Sequence, residues 1–166
     1  ADLGCGTGIS GEDFKSSSKT LIGCDISPKM TEMASAKGIY DSISLCGAIE
    51  FLQAQSEQSL DLVTAVDVLP YIRNLKPLFE TAHAALKKGG LLAFTAEESY
   101  QDSDDMKGQD VIVKLNAYAR FCHTEKCIRQ LAEKHNFDVL LAEPAAVRLQ
   151  GSKPIPGRTY VLRRRS

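Results

Sequence analysis

Short apolar segments alternate with amphipathic segments along most of this chain. The apolar segments predict β-strands at residues 1–4, 20–25, 42–46, 60–66 and 91–96. Segments whose apolar residues recur at helical spacing predict helices at residues 29–37, 49–55, 75–88 and 124–136. Regular alternation of strand and helix produces βαβ units with parallel strands, and right-handed crossovers place helices on both faces. The pattern therefore predicts an α/β fold with a doubly wound, mostly parallel sheet.

The helix predicted at residues 75–88 has a well-marked end. Its apolar stripe runs as far as Leu86, and two lysines follow in the last turn, where positive charge is favourable. The pair Gly89-Gly90 is a typical helix terminator. The next strand is therefore expected to begin at residue 91.

The last third of the chain departs from this alternation. Residues 97–109 are polar and acidic and predict a surface loop. Two strand-like segments, residues 137–141 and 159–162, flank a connection at residues 152–157 that contains proline and glycine. Because these residues interrupt strands, we expect an antiparallel C-terminal strand pair at the sheet edge, joined by that connection.

Composition and charge are those of one globular domain. The 166 residues are 43% hydrophobic and 25% charged, which excludes a disordered or collagen-like chain. No apolar run approaches the roughly 20 residues that cross a bilayer, so no membrane partner is expected. The net charge is −1, whereas a domain that grips nucleic acid is normally basic. We expect one domain over residues 1–166 that acts on a small molecule or a protein.

The chain start and the cysteines add two expectations. Residues 1–4 resemble the end of a strand without its beginning, so we expect the domain to lack its N-terminal part. The five cysteines are odd in number and lack zinc-ligand spacing. They predict reduced thiols, no metal site and a cytoplasmic location.

The strongest chemical signal is the glycine loop, residues 2–8, which reads Asp-Leu-Gly-Cys-Gly-Thr-Gly between the first strand and a helix. Glycines let a backbone approach a ligand closely, and a helix N-terminus offers it free N–H groups. The spacing differs from the G-x-G-x-x-G of pyrophosphate-binding loops because Gly8 comes one residue early. No Gly-Lys-Ser/Thr follows, which excludes a Walker loop. The spacing indicates a nucleotide-like ligand without a pyrophosphate.

Asp25 ends the second predicted strand, 21 positions after Gly4. In a doubly wound sheet, an acid about 20 residues beyond the first glycine lies where both ribose hydroxyls can donate to one carboxylate. The alternative is a solvated turn aspartate before Ser27. The glycine loop at this distance favours the ribose interpretation.

Four motifs together resemble the S-adenosylmethionine-dependent methyltransferases with a Rossmann-like fold. They are D-L-G-C-G-T-G, G-C-D-I-S-P-K-M, D-L-V-T-A-V-D-V-L and L-K-K-G-G-L-L-A-F, and they span residues 1–96 in the order of that family. The later motifs R-F-C-H-T and P-x-x-G-x-x-Y-V-L-R-R are similar to small methyltransferases of types 11 and 12, some of which are fused to tetratricopeptide repeats.

The resemblance implies methyl transfer with S-adenosylmethionine as the cofactor. The loop glycines would lie under the methionine part, Asp2 would hold its amino end directly or through water, and Asp25 would accept from the ribose. The implied cofactor-binding residues are Asp2, Gly4, Cys5, Gly6, Gly8, Asp25, Ile26, Met30, Gly47, Ala48, Ile49, Asp67 and Val68.

Two of these assignments carry an alternative. Met30, like Ile26, would form an apolar wall for the adenosine, but a helical methionine is as readily core filler. Where the family often has an acid that accepts from the adenine amino group, this chain has Gly47. Backbone groups of residues 47–49 would then meet the adenine edge, and Glu50 is expected to face solvent.

The acceptor side is less defined, because a positioned methyl donor needs no catalytic residue. Weak candidates for a catalytic role are His123, whose ordinary pKa suits a base, and Tyr71. His123 can equally be a structural residue at a helix start. Other candidate contacts with the acceptor are Glu97, Glu98 and Arg120. A substrate lid is expected in the acidic segment that contains Glu97, Glu98, Asp102, Asp104, Asp105 and Asp110.

The three consecutive arginines Arg163, Arg164 and Arg165 suggest either a polyanion site or, as we favour, solubilising residues on a terminal edge strand. Two other functions remain as alternatives to methyl transfer. One is a non-catalytic module that binds the cofactor on the same fold. The other is a nucleotide-dependent oxidoreductase, which the glycine spacing disfavours.

Overall fold

The computed structural model describes residues 1–97, 113–115 and 120–166. The strands are β1 (Asp2–Leu3), β2 (Ile22–Asp25), β3 (Ser42–Leu45), β4 (Leu60–Ala65), β5 (Leu86–Glu97), β6 (Val113–Leu115), β7 (Phe121–His123), β8 (Phe137–Gln150) and β9 (Lys153–Arg164). Seven of them form one sheet in the order β3-β2-β1-β4-β5-β9-β8, and β6 pairs with β7 separately.

The seven-stranded sheet has two parts. Strands β1 to β5 are parallel to one another. Strand β9 runs antiparallel to β5, and β8 runs antiparallel to β9. Strand order reverses between β1 and β4, which is the topological switch point of a doubly wound sheet. The predicted fold class and the antiparallel C-terminal pair at the sheet edge are confirmed.

Four helices connect the parallel strands as the pattern predicted, and a fifth lies between β7 and β8. They are α1 (Ile9–Lys15), α2 (Pro28–Ala36), α3 (Ala48–Gln53), α4 (Lys76–Ala85) and α5 (Glu125–Lys134). The side chain of Ser27 caps α2 by accepting from the Met30 N–H, and Thr124 caps α5 in the same way through Cys127. A 3₁₀ turn at Leu69–Tyr71, which the sequence pattern did not predict, follows β4.

The core lies where α3, α4 and α5 pack against the sheet. Phe79 of α4 meets the rings of Phe94 and Phe137 edge-on, with centroids 6.0 and 5.9 Å apart. Phe94 stacks on Tyr160 at 5.1 Å, which ties the parallel part of the sheet to β9. The antiparallel pair is therefore part of the same core, and burial of each such ring contributes roughly 1.5–3 kcal/mol to stability.

The predicted helix at residues 75–88 is too long. Helix α4 ends at Ala85, and Leu86 is extended with ψ at 142°. Leu86 is fully buried and pairs with Leu60 of β4, so sheet pairing takes the residue that completed the helical stripe. The two lysines and Gly89-Gly90 therefore belong to β5, and Lys87 pairs with Asp61 of the neighbouring strand at 2.8 Å.

The predicted connection at residues 152–157 is also wrong. Strands β8 and β9 form one long hairpin that turns at Gly151, and residues 153–157 lie within β9. Among the described residues, β5 pairs with β9 only from Gly157 onward, so Pro154 and Pro156 lie where β8 is the one described neighbour of β9. Proline has no N–H to donate and is tolerated in a strand at such a position.

The three arginines are not on an edge strand, because β9 lies between β5 and β8. Arg164 donates to the carbonyl oxygen of Leu86 at 2.6 Å. Arg163 and Arg165 contact Asp138 at 3.3 and 2.7 Å, which lowers the pKa of that carboxyl. The three arginines therefore bind β9 and the residue after it to β5 and β8. They are neither a free polyanion site nor solubilising residues on an edge strand.

Within the described parts of the chain, none of the helices is long and apolar enough to cross a membrane. Most of the predicted acidic loop lies outside the described residues, including Glu98, Asp102, Asp104, Asp105 and Asp110. Glu97, its first residue, is the last residue of β5.

Candidate cofactor and acceptor site

The glycine loop begins at the carboxyl end of β1 and leads into α1. Gly4, Gly6 and Gly8 have φ values of 61°, 54° and 82°, in the left-handed region that side chains avoid. The Gly8 N–H donates to the carbonyl oxygen of Cys5 at 2.8 Å and closes the turn, and Cys5 is buried below it. The sequence needs glycine here for its backbone conformation, before any ligand is considered.

Two of these glycines face different surroundings. A Cβ atom at Gly4 would lie 2.5 Å from the side chain of Val68, so the loop packs tightly on the segment after β4. A Cβ atom at Gly6 would have no atom of the described residues within 4 Å. Gly6 therefore borders open space above the carboxyl ends of the strands, which is where doubly wound sheets bind ligands.

Asp25 faces the same loop from the end of β2. Its Oδ2 accepts from the Gly6 N–H at 3.0 Å, and its Oδ1 accepts from the Ser27 N–H at 2.9 Å. The carboxylate is only half-buried. Since each oxygen of a carboxylate can accept about two hydrogen bonds, both retain capacity for a further donor. The acid and the glycine loop are therefore in direct contact, whereas the sequence showed only their separation along the chain.

Asp2 lies beneath the loop and is almost completely buried, at 1% exposure. Its Oδ2 accepts from Ser10 at 2.9 Å and from Tyr40 at 2.7 Å, and its Oδ1 accepts from Thr64 at 2.9 Å. Three hydroxyl donors therefore satisfy the carboxylate from within the protein. Sequence reasoning did not anticipate these partners, since Tyr40 and Thr64 are far from Asp2 along the chain.

The predicted apolar wall residues lie at the end of β2 and on α2. Ile26 follows Asp25 with 77% of its surface exposed, and Met30 on α2 is 37% exposed, so neither is core filler. Gly47 is the N-cap residue of α3 and has extended backbone. A Cβ there would meet no described atom within 4 Å, and the next two residues are half-buried. Glu50 is exposed to solvent.

Asp67 follows β4 with a φ of 56°, an unusual conformation for a residue other than glycine. Its backbone N–H donates to the hydroxyl of Thr95 on β5 at 2.9 Å, which holds this conformation. Burial raises the pKa of its carboxyl, an effect opposed by Arg120 and Arg148. Asp67 thus places a partly exposed carboxylate at the ends of the two central strands.

Charged side chains cluster around Asp67. Glu97 is 1% exposed and accepts from the Nε of Arg148 at 2.6 Å. Arg120 lies 3.4 Å from Asp67 and 3.9 Å from Glu97, and its guanidinium covers the ring of Tyr71 at 4.5 Å. Three of the predicted acceptor contacts, Tyr71, Glu97 and Arg120, are therefore brought together.

Arg148 belongs to this cluster but had no sequence signal. It lies on the part of β8 that continues beyond the end of β5, and it reaches back to Glu97, 51 positions earlier. Only the length of the hairpin makes this contact possible. A sequence pattern that predicts a short connection cannot reveal it.

His123 is fully buried, with 0% exposure. Its Nε2 lies 2.9 Å from the carbonyl oxygen of Ile72 and 3.3 Å from that of Leu69, so this nitrogen carries the proton. Burial lowers the pKa of His123, which keeps the ring neutral near pH 7. The ring holds the 3₁₀ turn that presents Tyr71, and none of its nitrogens is open to an acceptor molecule.

Protein stability should report this burial. The folded pKa of His123 lies below the value of about 6.5 in unfolded chains, so the unfolded state binds more protons as pH falls. We expect the melting temperature to decrease as pH falls below about 6.5. His123→Gln keeps an N–H donor and should flatten this dependence in calorimetric scans from pH 8 to 5. His83→Gln, at a less buried histidine, should flatten it less, and equal slopes in wild type and His123→Gln would contradict the expectation.

No group of three or more histidine, cysteine or acidic side chains that could hold a metal occurs in the described part of the chain. All five cysteines are free thiols.

Comparisons with known proteins identify the family. Residues 1–94 match the family model described as a methyltransferase domain. An uncharacterized protein of Haemophilus influenzae is 30% identical over 139 residues, which cover 70% of this chain and 52% of that protein. A ubiquinone biosynthesis O-methyltransferase of Idiomarina loihiensis is 28% identical over 97 residues, which cover 57% of this chain and 40% of that enzyme. The chain thus spans about half the length of the curated relatives it matches.

A solved structure shows the same fold over almost the whole chain. The 1,6-didemethyltoxoflavin-N1-methyltransferase of Burkholderia thailandensis, crystallised with S-adenosylhomocysteine, superposes with a TM-score of 0.75 at 16% identity. The match covers 99% of this chain and 70% of that one. The chain belongs to the methyltransferase domain family and has the Rossmann-like fold of S-adenosylmethionine-dependent methyltransferases.

Proposed function

We propose that the protein transfers a methyl group from S-adenosylmethionine to a small-molecule or protein acceptor. The observation that carries this proposal is the contact between Asp25 and the Gly6 N–H beside open space. It joins an acid suited to ribose hydroxyls to a loop suited to the methionine part. Family membership supports the same reaction.

The residues present fit this cofactor. Both oxygens of Asp25 have capacity to accept a ribose hydroxyl. The exposed side chains of Ile26 and Met30 would cover the adenosine, and backbone groups of residues 47–49 would meet the adenine edge. Gly4, Cys5, Gly6 and Gly8 would pass under the methionine part, and Asp67 and Val68 would lie at its other side. The carboxylate of Asp2 is buried, which favours a contact with the amino end through water over a direct one.

When bound, the cofactor would supply an activated methyl group, because a sulfonium loses its methyl to a nucleophile and leaves as a neutral thioether. What this chain contributes is position, exclusion of water and charge. Arg120 and Tyr71 form a wall with one cationic and one aromatic surface, and Asp67 and Glu97 balance the two arginines. Alignment of an acceptor by such groups is worth several kcal/mol without any base. We assign His123 to the support of Tyr71 and leave the proton acceptor, if the reaction needs one, to the acceptor molecule or solvent.

Thermal shift and calorimetry with S-adenosylhomocysteine and with NAD test the proposal. We expect S-adenosylhomocysteine to bind and stabilise the protein and NAD to have no effect. Stabilisation by NAD alone would establish the oxidoreductase alternative. Release of S-adenosylhomocysteine from S-adenosylmethionine with a metabolite pool then tests turnover. Binding without release with any acceptor would favour a non-catalytic module.

The proposal includes a cytoplasmic location, which five free thiols support. The net charge of −1 argues against nucleic acid as the main partner. The residues 1–166 are proposed to be the cofactor-binding domain of the enzyme.

A further inference from the structure

Tyr40 occupies a position for which the proposed function gives no role. It lies between α2 and β3 and is half-buried. Its ring lies against three glycines on three separate elements, Gly8 in the loop, Gly11 in α1 and Gly23 in β2. A Cβ atom at Gly8 would lie 3.1 Å from the ring, one at Gly23 would lie 3.0 Å from it, and one at Gly11 would overlap the hydroxyl. We call this arrangement the tyrosine socket.

The socket explains two glycines that the glycine loop does not require. Gly11 lies inside a helix and Gly23 inside a strand, where glycine is unfavourable because it loses the most backbone freedom. Neither has a positive φ, so conformation alone does not demand glycine at either position. Close approach of the tyrosine ring does demand it, since a methyl group at either place would push the ring away.

The hydroxyl of Tyr40 ends in the buried network beneath the loop. It donates to Oδ2 of Asp2 at 2.7 Å, and Ser10 donates to the same oxygen at 2.9 Å. Asp2 precedes the glycines and Ser10 follows them, so this oxygen joins the two ends of the loop. Tyr40 thus contacts the loop twice, with its ring at Gly8 and with its hydroxyl at the point where the loop closes.

We propose that Tyr40 is a positioning residue that holds the glycine loop in its cofactor-binding shape through the tyrosine socket and the bond to Asp2. The inference rests on the proposed function, because it assigns a role toward the same cofactor. Tyr40 lies below the loop and acts through Asp2 and Gly8. Its loss should therefore change affinity for the cofactor at temperatures where the protein remains folded.

The chain offers a matched control for the hydroxyl. Thr64 on β4 donates to the other oxygen of Asp2, Oδ1, at 2.9 Å and does not touch the loop glycines. Tyr40→Phe and Thr64→Val each remove one hydroxyl donor from the same buried carboxylate and keep most of the side-chain volume. Both should lower stability, but only Tyr40→Phe releases the bond on the loop side.

The experiment is calorimetric titration of S-adenosylhomocysteine into wild type and both variants, at least 15 °C below each melting temperature. We expect affinity to fall about three- to tenfold in Tyr40→Phe and to stay within about twofold in Thr64→Val. Tyr40→Leu, which also empties the socket, should bind more weakly than Tyr40→Phe, and if it does not fold, the other pair of variants decides. Equal affinity in wild type and Tyr40→Phe, or an equal loss in Thr64→Val, would overturn the role. Absence of binding by wild type would instead contradict the proposed function itself.

Discussion

Replacing Asp25 by alanine is expected to weaken the binding of S-adenosylhomocysteine by at least tenfold. The carboxylate has one free acceptor position on each oxygen, and two ribose hydroxyls would fill them. A hydrogen bond to a charged group contributes about 1.5–3 kcal/mol, and 1.4 kcal/mol already corresponds to a factor of ten. The loss is therefore tenfold if one bond matters and about a hundredfold or more if both do.

Asp25 also stabilises the folded protein, and this effect has to be separated from its role in ligand binding. Without the carboxylate, the N–H groups of Gly6 and Ser27 lose their acceptor, which lowers stability as well. Asp41 is a matched control, because its carboxylate accepts from the backbone N–H of Leu21 at 2.7 Å, just before β2 begins. It thus makes the same kind of contact at the opposite end of the same strand.

Calorimetric titrations and melting curves of Asp25→Ala and Asp41→Ala distinguish the two effects. Both variants should melt at lower temperature than wild type. Only Asp25→Ala should lose affinity for S-adenosylhomocysteine. If Asp25→Ala binds as tightly as wild type, Asp25 has no part in ribose recognition, and the turn interpretation of this residue is correct.

Much of the parallel half of the fold was predictable because local signals and tertiary structure agree there. The alternation of strands and helices up to residue 65 reflects elements that pack apolar residues such as Leu3, Phe51 and Val63 into one core. The loop glycines have positive φ, so their identity follows from backbone geometry. That Asp25 would lie near the glycine loop also followed from spacing, since adjacent parallel strands end at the same edge; its hydrogen bond to Gly6 did not.

Where the prediction was wrong, sheet pairing outweighed a local pattern. Leu86 fits the stripe of α4, yet pairing with Leu60 buries it completely in β5. Pro154 and Pro156 look like a connection, but they lie within β9, where β8 is its one neighbour among the described residues. Neither outcome can be read from a window of neighbouring residues, because each depends on which strand lies alongside.

The site residues that sequence reasoning missed also make contacts between segments that are far apart in the chain. Arg148 meets Glu97, and Tyr40 meets Asp2, across 51 and 38 positions of chain. Each contact depends on a detail of packing, the length of a hairpin in one case and three glycines around a ring in the other. The glycines at positions 11 and 23 were the only hint of the second, and they carry no meaning until the ring between them is known.

Gly6→Val is expected to abolish binding of S-adenosylhomocysteine, because a branched side chain would enter the open space above the loop. The substitution has a second effect, since a residue with a Cβ in the left-handed region costs roughly 1–2 kcal/mol. Gly89 is a control for that cost. Its φ of 76° is also positive, a Cβ there would meet no described atom within 4 Å, and it lies near the amino end of β5, between Leu86 and Leu91, which pair with β4.

Gly89→Val should therefore lower the melting temperature much as Gly6→Val does, while its affinity for S-adenosylhomocysteine stays at the wild-type value. The measurement is a pair of melting curves and a pair of calorimetric titrations on the two variants. Wild-type affinity in Gly6→Val would mean that no ligand passes close to this glycine. An equal loss of affinity in both variants would mean that the backbone strain they share, and not the space above the loop, weakens binding.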